Sequence, residues 1–322
     1  MIRRLDFAPL DGITRLVYRR VWQRRFGGTD RFFLPFFSPT PQHVMTERDL
    51  REMSFSQNAP LPCVPQIMTR NAEDFLWGCE VVREMGYTEA NLNLGCPSGT
   101  VTAKGKGAGF LADPDALDRF FDTVFSRVTI PVSVKTRLGV SDAGEFARLL
   151  EVFNRYPVAC LIVHARVKTE KYRPPIREEG WAEALKDSRN PVCCNGDLRT
   201  VGEVRAFEEK FPTAEHVMIG RGLLADPALA RKLRGGAAAD RAELSAFLDE
   251  LYDGYVEWYG GQTRTAAQRM REVWFYLIHL FDENERLGKQ MRRFRTGEEY
   301  RQIQSEILAS LPLRRDAQGD LI

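Results

Sequence analysis

Asn91-Leu92-Asn93-Leu94-Gly95-Cys96-Pro97-Ser98 is the stretch that decides the fold. It is a short apolar strand that ends in a Gly-Cys-Pro turn, so one thiol follows the strand end beside polar amides. Loops at strand ends carry function because the strands below hold them rigidly. A loop rich in glycine and lysine follows over 104–109 and can approach an anionic substrate. The stretch therefore predicts a reacting thiol, Cys96, at the mouth of a barrel.

Apolar runs of the same kind alternate with helical stretches as far as about Arg234. The predicted strands are 5–8, 33–37, 63–67, 90–94, 132–135, 160–164, 192–195 and 216–219. Amphipathic windows between them predict helices, for example over 72–85, 115–125 and 144–153. Eight such units over about 230 residues match the size of a TIM (β/α)8 barrel. A doubly wound sheet is the alternative, but no GxGxxG follows the first strand.

The residues after the break at 234–240 show no strand pattern and predict a helical bundle. The predicted helices are 244–259, 265–281 and 297–309. Apolar residues recur at helical spacing in the second of these and should face a core: Met270, Val273, Trp274, Leu277 and Phe281. Arginines on its other face and the run Lys289–Arg295 give the bundle one basic edge. We therefore expect a TIM-barrel catalytic domain over 1–236, followed by a C-terminal all-helical domain over 240–322.

Composition and charge exclude several classes of protein. The chain has 322 residues and a formal charge of +2, so a nucleic-acid role must rest on local patches. No segment approaches the roughly 20 apolar residues of a membrane span, and the first residues lack the apolar run of a signal peptide. The six cysteines show no CxxC spacing, which argues against zinc or a disulfide framework and for a reducing cytoplasm.

Polar residues follow most of the predicted strands, at the end where a barrel collects its reacting groups. They are Asp11, Gln66, Asn93, Cys96, Lys135, Arg137, His164, Arg166, Asn195, Asp197 and Arg221. Lys135 and His164 in an apolar barrel mouth need an anionic partner, because burying an unpaired charge is costly. A reduced flavin carries negative charge at its N1–O2 edge and would supply that partner.

Two glycine turns follow the last two predicted strands, Asn195-Gly196-Asp197 and Gly220-Arg221-Gly222. Their backbone N–H groups can come close to a phosphate. Ala225-Asp226-Pro227 is then expected to open a helix, whose N-terminus favours negative charge. Barrels commonly bind phosphate on the loops after strands seven and eight. Together with the lysine and the histidine, these turns predict FMN.

Each of these residues also has a purely structural interpretation. A lone cysteine is more often a buried apolar filler, and a lone histidine is more often a hydrogen-bonded core residue. We interpret five cysteines in this way: Cys63, Cys79, Cys160, Cys193 and Cys194. The turn position of Cys96 and the strand-end position of Lys135 favour a functional role. The basic run Lys289–Arg295 alone would usually be a solvated face.

These motifs together resemble the tRNA-dihydrouridine synthase family. The matching segments are 8–12, 66, 91–98, 131–139, 163–166, 195–197 and 218–222. They occur in the family's order and at similar spacing, they cover the whole predicted barrel, and the helical C-terminal domain also fits. Gly-Cys-Pro-Ser combined with Val-Lys-Thr-Arg-Leu-Gly is highly specific. The basic helical edge, with Arg269, Arg271, Arg292 and Arg293, is similar to the subgroup that acts on uridine 16 of the D-loop.

The resemblance implies FMN at the barrel mouth, NADPH as the electron donor, a D-loop uridine of tRNA as the substrate, no metal, and a monomer. Cys96 would be the general acid. The flavin would be lined by Pro9, Leu10, Asp11, Gln66, Lys135, His164, Asn195, Gly196, Asp197, Gly220 and Arg221. The target nucleotide and the rest of the tRNA would be held by Asn93, Arg166, Tyr172, Arg269, Arg271 and Arg292.

The implied reaction reduces the C5–C6 double bond of uracil. Hydride passes from flavin N5 to C6, and Cys96 delivers a proton to C5 from the opposite face. A thiol suits this role because its unperturbed pKa of about 8.5 keeps it mostly protonated near neutral pH. The chain departs from the family after the second strand, where Leu34-Pro35-Phe36-Phe37-Ser38 stands in place of a segment with a charged residue.

Two other functions fit parts of the sequence. A flavin dehydrogenase for free pyrimidines or dihydroorotate would share the barrel, the flavin and the acid. It would not need a basic helical domain or the lysine-rich loop, and it predicts activity on free uracil. A flavin-free RNA-binding or chaperone protein on a barrel scaffold would not need the complete set of strand-end residues, and it predicts a colourless protein.

Overall fold

The strands of the computed structural model, which describes residues 2–59 and 61–314, form one closed barrel. They are β1 (Arg4–Phe7), β2 (Arg31–Phe33), β3 (Cys63–Val64), β4 (Gln66–Ile67), β5 (Ala90–Leu94), β6 (Val132–Gly139), β7 (Leu161–Val167), β8 (Val192–Asn195) and β9 (His216–Ile219). The sheet order is β3-β2-β1-β9-β8-β7-β6-β5-β4. Only Pro65 separates β3, which pairs with β2, from β4, which pairs with β5. These two are halves of one strand, so the sheet closes as the predicted (β/α)8 barrel.

The strand register brings the polar motifs together. The pairs β1–β2 and β2–β3 and all pairs from β4 to β9 run parallel. Asn93 on β5 lies opposite Lys135 on β6, and Arg137 on β6 lies opposite His164 on β7. Because side chains alternate along a strand, Lys135 and Arg137 share one face.

Strand extents differ most from the prediction in β2, β6 and β7, while β1 is shifted by one residue and the predicted strand 63–67 is divided into β3 and β4. β5, β8 and β9 have the predicted bounds, but β6 continues to Gly139 and β7 continues to Val167. Arg137 and Arg166 therefore lie within strands rather than after them. β2 ends at Phe33, and the predicted remainder keeps only an isolated bridge at Phe37. Pro35 explains this break, because proline has no N–H to give to the ladder.

A layer of apolar side chains fills the barrel below the polar residues. It is contributed by residues in or next to six strands: Ala8, Phe33, Val64, Cys160, Ile162, Cys193 and Met218. Cys79 and Cys194 are also buried, while Cys63 is half-buried. All six cysteines lie in the described part of the chain and are thiols. The packing interpretation is confirmed for the four buried cysteines.

The helices alternate with the strands and then dominate the end of the chain. They are α1 (Leu16–Arg25), α2 (Glu47–Glu52), α3 (Phe55–Asn58), α4 (Ala72–Glu84), α5 (Gly99–Thr102), α6 (Pro114–Phe125), α7 (Glu145–Phe153), α8 (Glu178–Asp187), α9 (Val201–Lys210), α10 (Arg221–Ala225), α11 (Leu229–Leu233), α12 (Arg241–Trp258), α13 (Thr263–Leu277), α14 (Glu285–Met291) and α15 (Gly297–Ser310). None of them combines the length and apolar character that crossing a membrane requires.

The described residues form two compact units. Among the described residues, the barrel unit comprises 2–9, 30–59, 61–197 and 207–218, and the helical unit comprises 10–29, 198–206 and 219–314. The last part of the predicted domain 240–322, residues 315–322, lies outside the described residues.

The helical unit has its own aromatic and aliphatic core. Phe247 on α12 packs edge-on against Tyr18 and Phe26, with ring centroids 6.0 Å and 5.1 Å away. The five residues of the predicted core stripe, Met270, Val273, Trp274, Leu277 and Phe281, are all buried. That prediction is therefore confirmed.

Candidate active site

A chain of amide hydrogen bonds crosses the barrel mouth. Gln66 Nε2 donates to Asn91 Oδ1 at 2.7 Å, and Asn91 Nδ2 donates to Ser133 Oγ at 2.8 Å. Asn93 Nδ2 donates to Gln66 Oε1 at 2.6 Å. All four residues are buried. These hydrogen bonds fix the side-chain amide orientations of Gln66 and Asn93.

The Cys96 turn is anchored to this network. Asn93 Oδ1 accepts from the backbone N–H groups of Gly95 and Cys96, each at 3.0 Å. On the other side the Cys96 carbonyl accepts from the N–H of Ala108 at 3.0 Å. Gly107 has φ +55°, and a Cβ there would lie 2.8 Å from the Cys96 carbonyl oxygen. A glycine is therefore required for the lysine-rich loop to pack this closely on a half-buried thiol.

Lys135 projects toward the same mouth from β6. Its Nζ donates to Asn195 Oδ1 at 2.8 Å, and Asn195 Nδ2 donates to the carbonyl of Met218 at 2.7 Å. Burial, and then the charge of Arg137, lower the pKa of Lys135 to about 7, while the Cys96 and Cys193 thiols act in the opposite direction. Lys135 is thus a lysine that a nearby anion would return to its charged form.

Arg137 is a site residue that the sequence analysis left without a role. Its Nε donates to the Gly95 carbonyl at 2.7 Å and its Nη1 donates to the Lys171 carbonyl at 2.8 Å. The side chain is 1% exposed, and burial lowers its pKa to about 10. Arg137 therefore ties the turn of Cys96 to the loop after β7. Its place near the end of β6, within the Val-Lys-Thr-Arg-Leu-Gly motif, was the sequence signal that pointed to it.

Arg166 is completely buried behind His164. Its Nε donates to the carbonyl of Arg173 at 2.8 Å, its Nη1 donates to His164 Nε2 at 3.2 Å, and its Nη2 pairs with Asp197. An arginine is always a donor, so Nε2 of His164 is the acceptor and the imidazole is neutral at this contact. The predicted residues Arg166, His164 and Asp197 thus form one cluster.

Tyr172 is the most exposed member of the site. It is 52% exposed. Its ring lies 5.4 Å from the Arg137 guanidinium and 6.0 Å from the His164 ring centroid. An exposed aromatic ring beside a cation and an imidazole is a surface on which a planar base can stack.

Gly196 has the glycine-only geometry expected of a turn that approaches a ligand. Its φ is +139°, and a Cβ there would lie 2.4 Å from Ile176 Cδ1. The pocket wall beside His164 therefore depends on the missing side chain.

The remaining predicted flavin residues lie on short turns. Pro9 is half-buried in the barrel unit. In the helical unit, Leu10 accepts from Thr14, and Asp11 pairs with Arg15 at 3.0 Å. Gly220 is the N-cap of α10, which begins directly at Arg221. Asp226 ends α10, and α11 begins at Leu229, two residues after the predicted helix opening at 225–227.

The predicted basic edge of the helical unit is partly occupied by internal contacts. Arg269 donates to Tyr259 and Glu272. Arg271 donates to the Phe294 carbonyl at 2.6 Å and stacks on the Phe294 ring at 4.4 Å. Arg292 is exposed at the end of α14. Arg292 and Arg293, which are both exposed, are therefore more accessible to a phosphate than Arg269 and Arg271.

The barrel residues fit a flavin mononucleotide. Lys135 is paired with an amide, and in residues 2–59 and 61–314 no carboxylate neutralises it. The oriented amides Gln66 and Asn195 offer hydrogen-bonding edges of the kind that a flavin ring uses, and Gly196 leaves room for the Ile176 side chain beside His164. An anionic planar ring with a polar edge satisfies these requirements together.

Comparison with known proteins gives independent support for a flavin-binding enzyme. Residues 6–306 match the dihydrouridine synthase family. A tRNA-dihydrouridine(16) synthase of Ralstonia nicotianae is 32% identical over 243 residues, which cover 73% of this chain and 74% of that protein. One from Cupriavidus necator is 32% identical over 266 residues, which cover 77% and 82%.

Among solved structures, 2-naphthoyl-CoA reductase in complex with 2-naphthoyl-CoA is similar with a TM-score of 0.55 at 10% identity. The match covers 72% of this chain and 50% of that one, and it supports the fold alone. The family match spans the barrel, including the Cys96 turn and the Lys135 and His164 strands, together with most of the helical unit. The chain belongs to the dihydrouridine synthase family.

Proposed function

We propose that this protein reduces the C5–C6 double bond of a D-loop uridine in tRNA, with FMN as its cofactor and NADPH as the reductant. The observation that carries the proposal is the Cys96 turn. Asn93 fixes a half-buried thiol beside Lys135, a half-buried lysine without a carboxylate partner in the described ranges. A proton donor and a site for an anionic ring are the two parts that this reduction needs.

The proposal extends to the position of the uridine. The two relatives from Ralstonia nicotianae and Cupriavidus necator carry names that specify position 16. The basic edge of the helical unit supports the same subgroup. We therefore assign uridine 16 as the target.

The cofactor would be held mainly by barrel residues. Lys135 and His164 would face its polar edge, Gln66 and Asn195 would donate hydrogen bonds, and Gly196 would let it approach the backbone. The proposed set is completed by Pro9, Leu10, Asp11, Asp197, Gly220 and Arg221. When bound, FMN supplies the hydride for C6 of uracil, with NADPH as its reductant. A charged Lys135 then stabilises the negative edge of the ring electrostatically.

Cys96 would be the general acid. It delivers its proton to C5 on the face of the base away from the cofactor, because the base must stack on the ring. Asn93 and Gly107 hold the turn from two sides, which fixes the direction of the thiol. The lysine-rich loop over the turn limits water at the thiol.

The base would be recognised by Asn93 and Tyr172. One hydrogen of the Asn93 amide is used by Gln66, and the second would donate to a uracil carbonyl. Tyr172 offers its exposed ring to the nucleotide. A D-loop uridine that already leaves the stack reaches the barrel mouth at a lower free-energy cost than a paired base.

The rest of the tRNA would contact basic side chains. Lys104, Lys106 and Arg173 would approach phosphates near the barrel mouth, and Arg269, Arg271 and Arg292 would do so on the helical unit. Such contacts give affinity without reading sequence. We accordingly assign catalysis to residues 1–236 and tRNA binding to 240–322, in a cytoplasmic, monomeric enzyme.

The test is NADPH consumption by the purified, FMN-loaded protein with unmodified tRNA or with free uracil. The proposal predicts consumption that depends on tRNA and not on uracil. Consumption with free uracil alone would favour a small-molecule pyrimidine dehydrogenase. A protein that cannot be reconstituted with FMN would favour a flavin-free RNA-binding protein.

A further inference from the structure

Two buried arginines on adjacent strands hold the loop that carries Tyr172. Arg137 on β6 donates from Nη1 to the carbonyl of Lys171 at 2.8 Å. Arg166 on β7 donates from Nε to the carbonyl of Arg173 at 2.8 Å. The two guanidinium groups therefore bind the backbone carbonyls of Lys171 and Arg173, the residues on either side of Tyr172.

The remaining donors of Arg166 also point inward. Its Nη1 donates to His164 Nε2, and its Nη2 pairs with Asp197. The side chain has no exposed surface. The guanidinium is thus engaged at all three nitrogens, with a backbone carbonyl, an imidazole and a carboxylate.

The loop needs such anchors because its backbone is not relaxed. Lys171 has φ +53° and Asp197 has φ +33°, both in the left-handed region that non-glycine residues seldom adopt. Conformations of this kind persist only where surrounding contacts enforce them. Arg166 contacts Asp197 directly and the neighbour of Tyr172, so it enforces both segments.

We propose that Arg166 is a positioning residue, which fixes the Tyr172 loop and the His164 imidazole and does not itself touch RNA. The inference rests on the proposed function, since it assigns how the base-stacking ring is held. To reach a phosphate, Arg166 would have to give up its ion pair with Asp197 and its hydrogen bonds to His164 and Arg173, which is unfavourable for a fully buried guanidinium. A lysine could keep a phosphate contact, but it could not reach the three acceptors that the planar fork reaches.

Arg166→Lys separates the two roles. For a positioning residue, kcat/KM for tRNA falls by about 10- to 100-fold, because the ring and the imidazole lose their fixed geometry. For a phosphate contact, the retained charge would keep kcat/KM within a few-fold of wild type, and that result would overturn the proposal. Arg177→Lys is the matched control. Arg177 lies on the same loop with a 40% exposed side chain paired to Glu170, and it should behave as wild type.

A double-mutant cycle with Tyr172→Ala adds a second criterion. If Arg166 acts through Tyr172, Arg166→Lys should weaken tRNA binding in the wild-type background but not further in Tyr172→Ala. The salt dependence of tRNA affinity should stay unchanged. In Arg166→Gln, which removes the charge, a slope reduced by about one together with a loss that persists without Tyr172 would mark a direct phosphate contact.

The wild-type protein provides a measurement that does not depend on variants folding. An arginine-specific dicarbonyl reagent followed by peptide mass spectrometry should modify Arg177 and leave Arg166 unmodified, with or without tRNA. Labelling of Arg166 that tRNA suppresses would overturn the proposal. If wild-type protein forms no dihydrouridine, the proposed function fails. If wild type is active and Arg166→Lys is equally active, only the positioning role fails.

Discussion

The side-chain oxygen of Asn93 accepts a hydrogen bond from the backbone N–H of Cys96 at 3.0 Å. The same oxygen also accepts from Gly95, while the amide nitrogen is held by Gln66. The direction of the thiol is therefore set by residues of β4 and β5, two neighbouring strands of the barrel. This arrangement ties the proton donor rigidly to the residues that we assign to base recognition.

Removing the thiol should separate flavin chemistry from base reduction. Cys96→Ala should retain FMN and oxidise NADPH, but lose base reduction by about 100-fold or more, because general acid catalysis contributes 10²–10⁴-fold. Dihydrouridine formation and NADPH oxidation are measured side by side. Cys63→Ala, at a half-buried cysteine outside the site, is the control and should retain both activities. Wild-type dihydrouridine yield from Cys96→Ala would rule out the acid role.

Two glycines of one loop should respond differently to an added methyl group. Gly107→Ala would put a Cβ 2.8 Å from the Cys96 carbonyl oxygen at φ +55°, whereas Gly99→Ala meets nothing within 4 Å. We expect Gly107→Ala to lower kcat by about 10-fold or more through displacement of the thiol. Gly99→Ala should be near wild type. Equal rates for the two variants would show that the loop does not constrain Cys96.

Flavin affinity should depend on pH through Lys135. Burial lowers the pKa of this lysine to about 7, and the charged form donates the stronger hydrogen bond to the electron-rich N1–O2 edge of the flavin. Affinity of the apoprotein for FMN should therefore fall as pH rises through about 7, by at most about tenfold per pH unit. Fluorescence titration with FMN measures this. Lys135→Met should bind FMN more weakly and with no such dependence, and a pH dependence that survives in this variant would exclude Lys135 as its source.

The stability of the apoprotein should change with pH in the opposite direction. The unfolded lysine holds its proton up to its ordinary pKa of 10.5, whereas the folded one loses it near 7. Between these values the unfolded state binds more protons, so Lys135 makes the free energy of unfolding rise with pH. Chemical denaturation of wild type and Lys135→Met at several pH values isolates this contribution. A wild-type curve with the same slope as the variant would contradict it.

Arg137 should matter for stability as well as for the site. Arg137→Gln leaves the buried carbonyl of Val167 and the part-buried carbonyls of Gly95 and Lys171 without their donor. We expect a loss of about 2–3 kcal/mol in the free energy of unfolding, since each unsatisfied buried group costs about 1–3 kcal/mol. Arg148→Gln, at an exposed arginine of α7, is the control and should unfold like wild type. Urea denaturation compares them, and equal midpoints would contradict the anchoring role.

The basic edge of the helical unit should contribute salt-dependent affinity. Arg292→Gln should weaken binding to all tRNAs alike and lower the slope of log affinity against log salt by about one. Arg301→Gln is the control, because that arginine pairs with Asp253 on the same unit. Filter binding over a range of salt concentrations measures both. An unchanged slope for Arg292→Gln would remove it from the interface.

Sequence patterns were sufficient for the barrel because its strands are short apolar runs with sharp ends. β5, β8 and β9 follow from this rule without adjustment. The rule failed on β6 and β7, where Arg137 and Arg166 continue the strands. A charged residue at the end of an apolar run predicts a loop, so the strands were expected to stop before Arg137 and Arg166. Both arginines are nevertheless buried, because backbone carbonyls of the loop after β7 accept their hydrogen bonds. Such long-range partners leave no local signal.

The sequence predicted which residues belong to the site better than it predicted how their side chains are arranged. Asn93, Lys135 and His164 could be chosen because polar residues at strand ends are unusual in an apolar barrel. Their division into a Gln66–Asn93–Cys96 network and an Arg166–His164–Asp197 cluster depends on side-chain geometry. The short helix α10 was not predicted, whereas the opening of α11 was. Arg221 directly after a glycine carries no capping signal, whereas Asp226-Pro227 does.

The central claim is tested most directly by mass spectrometry of unmodified tRNA incubated with the purified protein, FMN and NADPH. We predict a mass gain equal to two hydrogen atoms, located at uridine 16 of the D-loop. A gain at another D-loop uridine would keep the reaction and correct the position. No gain on any tRNA, although flavin is bound and NADPH is consumed, would contradict the account and indicate a small-molecule flavin reductase.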